Sequence, residues 1–169
     1  MMKRFFFLTA LMLATLISMA QDRPKLVVGI AVDQMRWDYL YRYYDEYTDG
    51  GFKRLMNEGY NFENCMINYI PSVTAIGHTS LFTGSVPSIH GIAGNSFYIK
   101  GKSVYCCDDP DVKTVGSETK AGQRSPRNLL VTTIGDELRT ATNWQAMLFG
   151  VSYKDRAAIF PSGHSSNAA

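Results

Sequence analysis

The chain has 169 residues, 46% of them hydrophobic and 19% charged, which excludes disordered, collagen-like and low-complexity classes and fits one globular domain. Its 17 Lys and Arg against 15 Asp and Glu give a formal charge of +2, but Lys3 and Arg4 carry that excess at the extreme N-terminus. Beyond residue 20 the body is neutral and has no basic stripe, so charge gives no case for nucleic acid or an anionic membrane surface as a partner.

Residues 1–20 have the anatomy of a secretory signal peptide: Lys3-Arg4, an apolar run from Phe5 to about Ile17, then Ser18-Met19-Ala20 before Gln21. A transmembrane helix is the rival reading, but it needs about 20 apolar residues and this run is shorter. No Cys follows the small residues, so the segment is unlike a lipoprotein signal. The expected mature chain, residues 21–169, is periplasmic or secreted, without stable membrane insertion.

Lys25 to Val32 is a short apolar run rich in β-branched residues, which suits a strand buried on both faces of a helix-covered sheet. It stops at Asp33. Trp37 to Tyr47 reads as a short helix or packed aromatic loop, and Phe52 to Glu58 as a helix closed by Gly59. Alternation over Tyr60 to Met66 predicts a strand. A hydroxyl-bearing loop from Ile70 leads into a helix over Ala75 to Thr83.

Gly84 to Arg124 is rich in Gly, Pro, Ser and Asp, with short strand candidates at Ser96 to Ile99 and Ser103 to Cys106. Ser125-Pro126 is a helix start, and the helix is predicted to run to about Thr140 with Leu129, Leu130, Thr133, Ile134 and Leu138 on its buried stripe. A second apolar strand follows from Ala146 to Ser152 and ends at Lys154-Asp155-Arg156. Strands alternating with helices argue for an α/β sheet.

Three cysteines, Cys65, Cys106 and Cys107, fall in the body of the chain. Export favours a bridge from Cys65 to one of the adjacent pair, since neighbours seldom bridge each other; burial as small hydrophobes is the alternative, and both stand at this level.

In open α/β sheets ligands bind beyond the carboxyl ends of strands. Asp33, Thr74, and Lys154 with Arg156 fall at such places. Singly, each has an ordinary explanation as a turn cap, an N-cap hydroxyl or a solvated charge run. Together they suggest phosphoryl chemistry. A threonine hydroxyl needs a base or a metal to become a nucleophile, a helix N-terminus favours phosphate, a carboxylate suits zinc, and two cations brace a transferring phosphoryl group.

Four runs, VVGIAVDQMRWDYL, NYIPSVTAIGHTSLFTGSVPSIHGIAGNSFY, SPRNLLVTTIGDELRTATNW and GVSYKDRAAIFPSGHSSNAA, closely resemble the N-terminal part of bacterial alkaline phosphatases of the phosphate-irrepressible type. These belong to the alkaline phosphatase superfamily, near its type I phosphodiesterase and nucleotide pyrophosphatase branch. The resemblance extends from Lys25 to Ala169. It implies an α/β fold, the N-terminal portion of an alkaline-phosphatase-like sheet covered by helices on both faces.

By that resemblance Asp33 is a zinc ligand, and Thr74 is the nucleophile that forms a phosphothreonine while touching zinc. Asn95 bonds a phosphate oxygen, and Lys154 and Arg156 match the pair that contacts phosphate in the monoesterases. Diesterase relatives generally lack that pair, so the expected substrate is a small phosphate monoester. The alternatives are a nucleotide pyrophosphatase or phosphodiesterase, and a non-catalytic exported binding module. His78, His90 and His164 match no metal-ligand position of the family and read as scaffold.

Family members carry two zinc ions, and most of the ligands lie in a part of the chain that follows the four runs. One carboxylate and one hydroxyl cannot hold both ions of a two-metal centre. The expectation from sequence is therefore a truncated piece of a catalytic domain, inactive alone, whose full-length parent is the phosphatase.

Overall fold

The computed structural model describes residues 24–169, so the signal-like segment at residues 1–20 lies outside the described residues. The chain divides into two units between Val32 and Asp33, the first of them described only over residues 24–32. In the first, Leu26, Val27, Val28, Ile30 and Val32 are all exposed, and the run carries no strand ladder. The buried strand expected over Lys25 to Val32 is thus not formed among the described residues. An apolar run becomes a strand only where neighbours complete its backbone hydrogen bonds.

The second unit begins with an aromatic turn. Helix α1 (Tyr39–Arg42) and a 3-10 turn (Tyr44–Glu46) are tied by the Tyr47 hydroxyl, which donates to the Tyr39 carbonyl at 2.8 Å. Helix α2 (Phe52–Glu58) follows and buries no residue. Gly59 closes it as its N–H reaches the Leu55 carbonyl, and a Cβ at that position would strike the same oxygen. Tyr60 to Met66 is not a strand but an exposed, turn-rich segment, because alternation without a laddering partner leaves its backbone to water.

Helix α3 (Thr74–Thr83) begins one residue before its predicted start and buries Ala75, Ile76, His78 and Thr79. Thr79 and Thr83 donate back to the carbonyls of Ala75 and Thr79 at 2.6 and 2.7 Å, so the buried Thr79 hydroxyl and the half-buried Thr83 hydroxyl both have partners. Gly84 ends the helix in the left-handed region, at φ 64°. A single turn, α4 (Pro87–His90), precedes a hairpin of β1 (Ser96–Ile99) and β2 (Lys102–Tyr105). Ser96 pairs with Tyr105 and Ile99 with Lys102, leaving the two-residue turn Lys100-Gly101, both at positive φ as a tight antiparallel hairpin requires. This hairpin is the only sheet among the described residues.

The long helix expected from Ser125 forms only over Ile134–Ala141 (α5). Ser125-Pro126 initiates one turn, but Asn128 then donates to the Cys106 carbonyl and the Leu130 N–H to the His90 carbonyl, which draws the backbone away. The start signal that prevails is Thr133, whose hydroxyl and N–H exchange bonds with Asp136 in a capping box. Leu130 and Ile134 are consequently exposed rather than on a buried stripe, while Leu129 and Thr133 are buried. Ala146 to Ser152 forms no strand beyond one bridge between Phe149 and Ala168. The chain instead enters helix α6 (Asp155–Ser162), unforeseen because Pro161 lies inside it, in its last turn.

Helices α3 and α6 make the most extensive contact between elements of this unit. Ala75, Ile92, Cys106, Cys107, Leu129, Ile159 and Phe160 form the core. All three cysteines are free: Cys106 and Cys107 are buried hydrophobes, and Cys65 is exposed, so the bridge from Cys65 is not made.

Candidate active site

Packing α3 against α6 brings the start of each helix to one place. Thr74 is the first residue of α3, entered from extended Val73, and Lys154 is the N-cap position of α6. Asp33 lies between them. The Thr74 hydroxyl donates to its Oδ2 at 3.0 Å and the Lys154 ammonium to the same oxygen at 2.8 Å. The ammonium, through its hydrogen bond, holds the Asp33 carboxyl below the usual carboxylate range, and Thr74 adds to that against the opposing effect of burial.

Asn95 is fixed just before the hairpin, its carbonyl accepting the Cys106 N–H at 3.0 Å. Its Oδ1 accepts the Ala75 N–H at 3.1 Å, which decides the orientation of the amide: the oxygen faces the helix and the Nδ2 donor faces away from it. One of the helix N–H groups next to Thr74 is therefore already occupied by a side chain. His78 donates from Nδ1 to the Thr74 carbonyl at 2.9 Å. His90 is fully buried, with one ring nitrogen accepting from the Ile92 N–H and the other on Ser80; burial lowers its pKa and keeps it neutral. His164 is exposed, and its backbone N–H donates to Asp136. The rings of His78 and His90 are thus tied to α3 and the loop after α4, whereas His164 is held through its backbone.

Arg156 is held differently from Lys154. Its Nη1 donates to the Tyr105 hydroxyl at 2.6 Å, and that hydroxyl donates to Asp155 Oδ1 at 2.6 Å. Arg124 donates to Asp155 Oδ2 at 3.0 Å and to Asp108 at 2.6 Å, and both Arg124 and Arg156 lie over the Tyr105 ring. Burial and the neighbouring Asp155 carboxylate push the phenol well above its ordinary pKa, so it stays protonated and neutral. Tyr105, Arg124 and Asp155 had no signal in the sequence beyond the charge run. Tyr105 ends a strand and Asp155 opens a helix, and only the packing of hairpin against α6 unites them.

Among the described residues no group of three or more His, Cys, Asp or Glu side chains is placed to hold a metal ion. Asp33 and Thr74 offer two oxygens 3.0 Å apart, joined by their own hydrogen bond. Both are oxygen donors of the kind a metal ion accepts, and two donors alone do not complete a metal's shell.

The starts of α3 and α6 thus carry a hydroxyl, a lysine and an arginine, with the Asp33 carboxylate hydrogen-bonded to the first two. The chain belongs to the type I phosphodiesterase / nucleotide pyrophosphatase family, whose model matches residues 27–165. It is 61% identical over 153 residues to alkaline phosphatase PafA of Elizabethkingia meningoseptica, covering 89% of this chain and 28% of that protein. It is 58% identical over 158 residues to a protein of Myroides odoratus named calcium-transporting ATPase, covering 92% of this chain and 29% of that one. The crystal structure of a PafA variant with four substitutions matches with a TM-score of 0.85 at 59% identity, over 89% of this chain and 30% of that one. The mixed helix-and-strand fold is therefore that of alkaline phosphatase PafA over this part, and the chain spans less than a third of the length of these relatives.

Proposed function

We propose that the full-length protein hydrolyses phosphate monoesters, with Thr74 as nucleophile. The observation that carries this reading is the meeting of the Thr74 hydroxyl and the Lys154 ammonium on one carboxylate oxygen of Asp33, across 121 positions of sequence between Asp33 and Lys154. Substitutions in the PafA variant support it. They fall on a threonine, an asparagine, a lysine and an arginine, the residue types and chain order of Thr74, Asn95, Lys154 and Arg156, with a single residue between the last two in both proteins.

In this mechanism Asp33 orients the Thr74 hydroxyl, and the threonine oxygen attacks phosphorus as the ester oxygen leaves, giving a phosphothreonine that water then cleaves. Asn95, its oxygen occupied by the Ala75 N–H, donates from Nδ2 to a non-bridging oxygen. Lys154 and Arg156 neutralise the charge on the remaining oxygens, by preorganised electrostatics. Asp33 and Thr74 would be ligands of zinc, which when bound lowers the pKa of the hydroxyl and draws charge from the phosphoryl group. Two zinc ions are proposed for the complete centre, with further ligands outside the described residues.

A monoester dianion offers more non-bridging charge to this pair of cations than a diester does, and this favours monoesters within a family named for diesterases. Calcium transport, named for the Myroides relative, is not carried over, because a hydroxyl flanked by a lysine and an arginine suits phosphoryl chemistry. The sequence of residues 1–20 supports export to the periplasm or beyond, and among the described residues no helix is long and apolar enough to cross a membrane. The test is a comparison of monoester and diester hydrolysis by the full-length protein at equal concentrations. Faster release from the monoester is expected; preference for the diester makes the protein a phosphodiesterase instead.

A further inference from the structure

Arg156 has a carboxylate as its immediate neighbour in sequence, yet it does not pair closely with it. Its Nη1 stands 3.7 Å from Asp155 Oδ1, well beyond the ordinary distance of a charge-assisted hydrogen bond. Both oxygens of that carboxylate are engaged by other donors. Oδ1 accepts the Tyr105 hydroxyl at 2.6 Å and the backbone N–H of Arg156 at 2.7 Å, and Oδ2 accepts Arg124 Nε at 3.0 Å. What Arg156 does hold is the neutral phenol oxygen of Tyr105, at 2.6 Å.

A second observation points the same way. Arg156 Nε is buried without a hydrogen-bond partner among the described residues, although a buried, unpaired guanidinium donor is costly. An arginine fixed by one nitrogen to a neutral oxygen, and with another donor desolvated and unpaired, is preorganised for an anion that arrives from outside.

We infer that Tyr105 is a positioning residue for Arg156: its hydroxyl sits between the guanidinium and the Asp155 carboxylate, fixing the arginine while keeping its charge available to a phosphate monoester. Arg124 completes the device by neutralising Asp155 from the other side. Without the phenol oxygen, Nη1 loses its neutral acceptor and closes on Asp155, and the arginine turns from the substrate toward its own chain. This rests on the phosphate-binding role proposed for Arg156.

The experiment is a double-mutant cycle in the full-length protein, with wild type, Tyr105→Phe, Arg156→Ala and the double variant. Inorganic phosphate is the titrant, and steady-state hydrolysis of a monoester is the second readout. Tyr105→Phe is expected to weaken phosphate binding and lower kcat/KM by about 10-fold, the scale of one charge-assisted hydrogen bond. In the Arg156→Ala background the same substitution is expected to change either by less than about 2-fold. Arg124→Gln, which leaves the phenol in place but frees Asp155, is expected to weaken phosphate binding only when Arg156 is present.

Equal losses from Tyr105→Phe with and without Arg156 overturn the proposal, as does a Tyr105→Phe protein that binds phosphate like wild type. An Arg156→Ala protein with unchanged phosphate affinity overturns instead the assignment of Arg156 to the substrate. If Tyr105→Phe fails to fold, the Arg124→Gln pair carries the cycle by itself.

Discussion

Lys154 and Arg156 are separated by one residue, yet the two sides of the site they serve are built in opposite ways. On the Lys154 side a single oxygen of Asp33 receives both the ammonium and the Thr74 hydroxyl, with side chains 44% and 32% exposed for Lys154 and Asp33. On the Arg156 side a network of Tyr105, Asp155, Arg124 and Asp108 holds the arginine, whose side chain is only 20% exposed. The first arrangement is a set of charged groups sharing one partner, easily rearranged when a cation or substrate arrives. The second is preformed. Under the roles proposed for Thr74 and Lys154, their side takes its final order from what binds, and the arginine's side from the fold itself.

The sharpest break in this comparison is Thr74→Ala. It removes the oxygen proposed to react while leaving the Arg156 network untouched, so hydrolysis by the full-length protein should fall about 10⁴-fold or more. Phosphoenzyme formed in the burst phase should vanish, and the melting temperature should stay close to that of wild type. Full activity in this variant would sink the nucleophile assignment.

Asp155→Ala attacks the preformed side. It strips partners from Tyr105 and Arg124 together, and leaves two guanidinium groups near one ring. A stability loss of about 2–3 kcal/mol is expected, the scale of broken hydrogen bonds to a charged group, together with weaker phosphate binding. Chemical denaturation with phosphate titration checks both. A variant that loses phosphate affinity but no stability would mean the network serves the substrate alone.

These two sides were unequally legible in the sequence, for physical reasons. Asp33, Thr74, Asn95, Lys154 and Arg156 stand in recognisable runs, and hydrogen bonds at the start of α3 join the first four, Asn95 through the Ala75 N–H. Tyr105 and Arg124 did not stand out, because a strand-end tyrosine and a loop arginine acquire their meaning only when the hairpin meets α6. Local signals worked where the signal and its partner lie close in the chain, as in the two short strands of the hairpin and the helix closed by Gly59. They failed where two signals competed. Ser125-Pro126 lost the helix start to Thr133 because the capping box satisfies the N–H groups of both Thr133 and Asp136 in the first turn, while Ser125 is engaged by Asp109 and the Arg127 N–H. The strand expected over Lys25 to Val32 failed for the opposite reason: its signal was correct for a buried strand, but no ladder forms among the described residues.

A buried carboxylate outside the site gives a yardstick for the preformed side. Asp136 accepts bonds from Thr133, from the His164 and Ser165 N–H groups and from the Ser165 hydroxyl, and it joins α5 to the end of α6. Gly163, at φ 72°, is required there, because a Cβ would strike the Asp136 carboxylate and the Thr133 hydroxyl. Burial pushes the Asp136 carboxyl up, but the donors of Ser165, Thr133 and His164 outweigh it and hold the group below the usual carboxylate range. Its folded pKa is therefore lower than its unfolded pKa of about 3.9. The stability it contributes is complete above the unfolded value and is lost as pH falls through the folded one. Asp136→Asn should cost about 2 kcal/mol at neutral pH and flatten the acid limb of a melting-temperature profile. An unchanged acid limb would assign that loss to other carboxylates, Asp155 first among them, since it too is held low against its burial, by Tyr105, the Arg156 N–H and Arg124.

Lys154→Ala should have the smallest effect on the fold and so tests the comparison most directly. The pair with Asp33 is partly solvated on both sides, and such exposed ion pairs contribute about 0–1 kcal/mol. Its melting temperature should barely move, and what movement there is should shrink with added salt. Phosphate affinity of the full-length protein should nevertheless drop by roughly 10-fold, because a charge aimed at a dianion is lost whatever the pair contributes to folding. Asp155→Ala, by contrast, lowers stability and affinity together. If Lys154→Ala destabilised the protein as much as Asp155→Ala does, the exposed side would be as much a part of the scaffold as the buried one, and the division between a side organised by its ligands and a side organised by the fold would be lost.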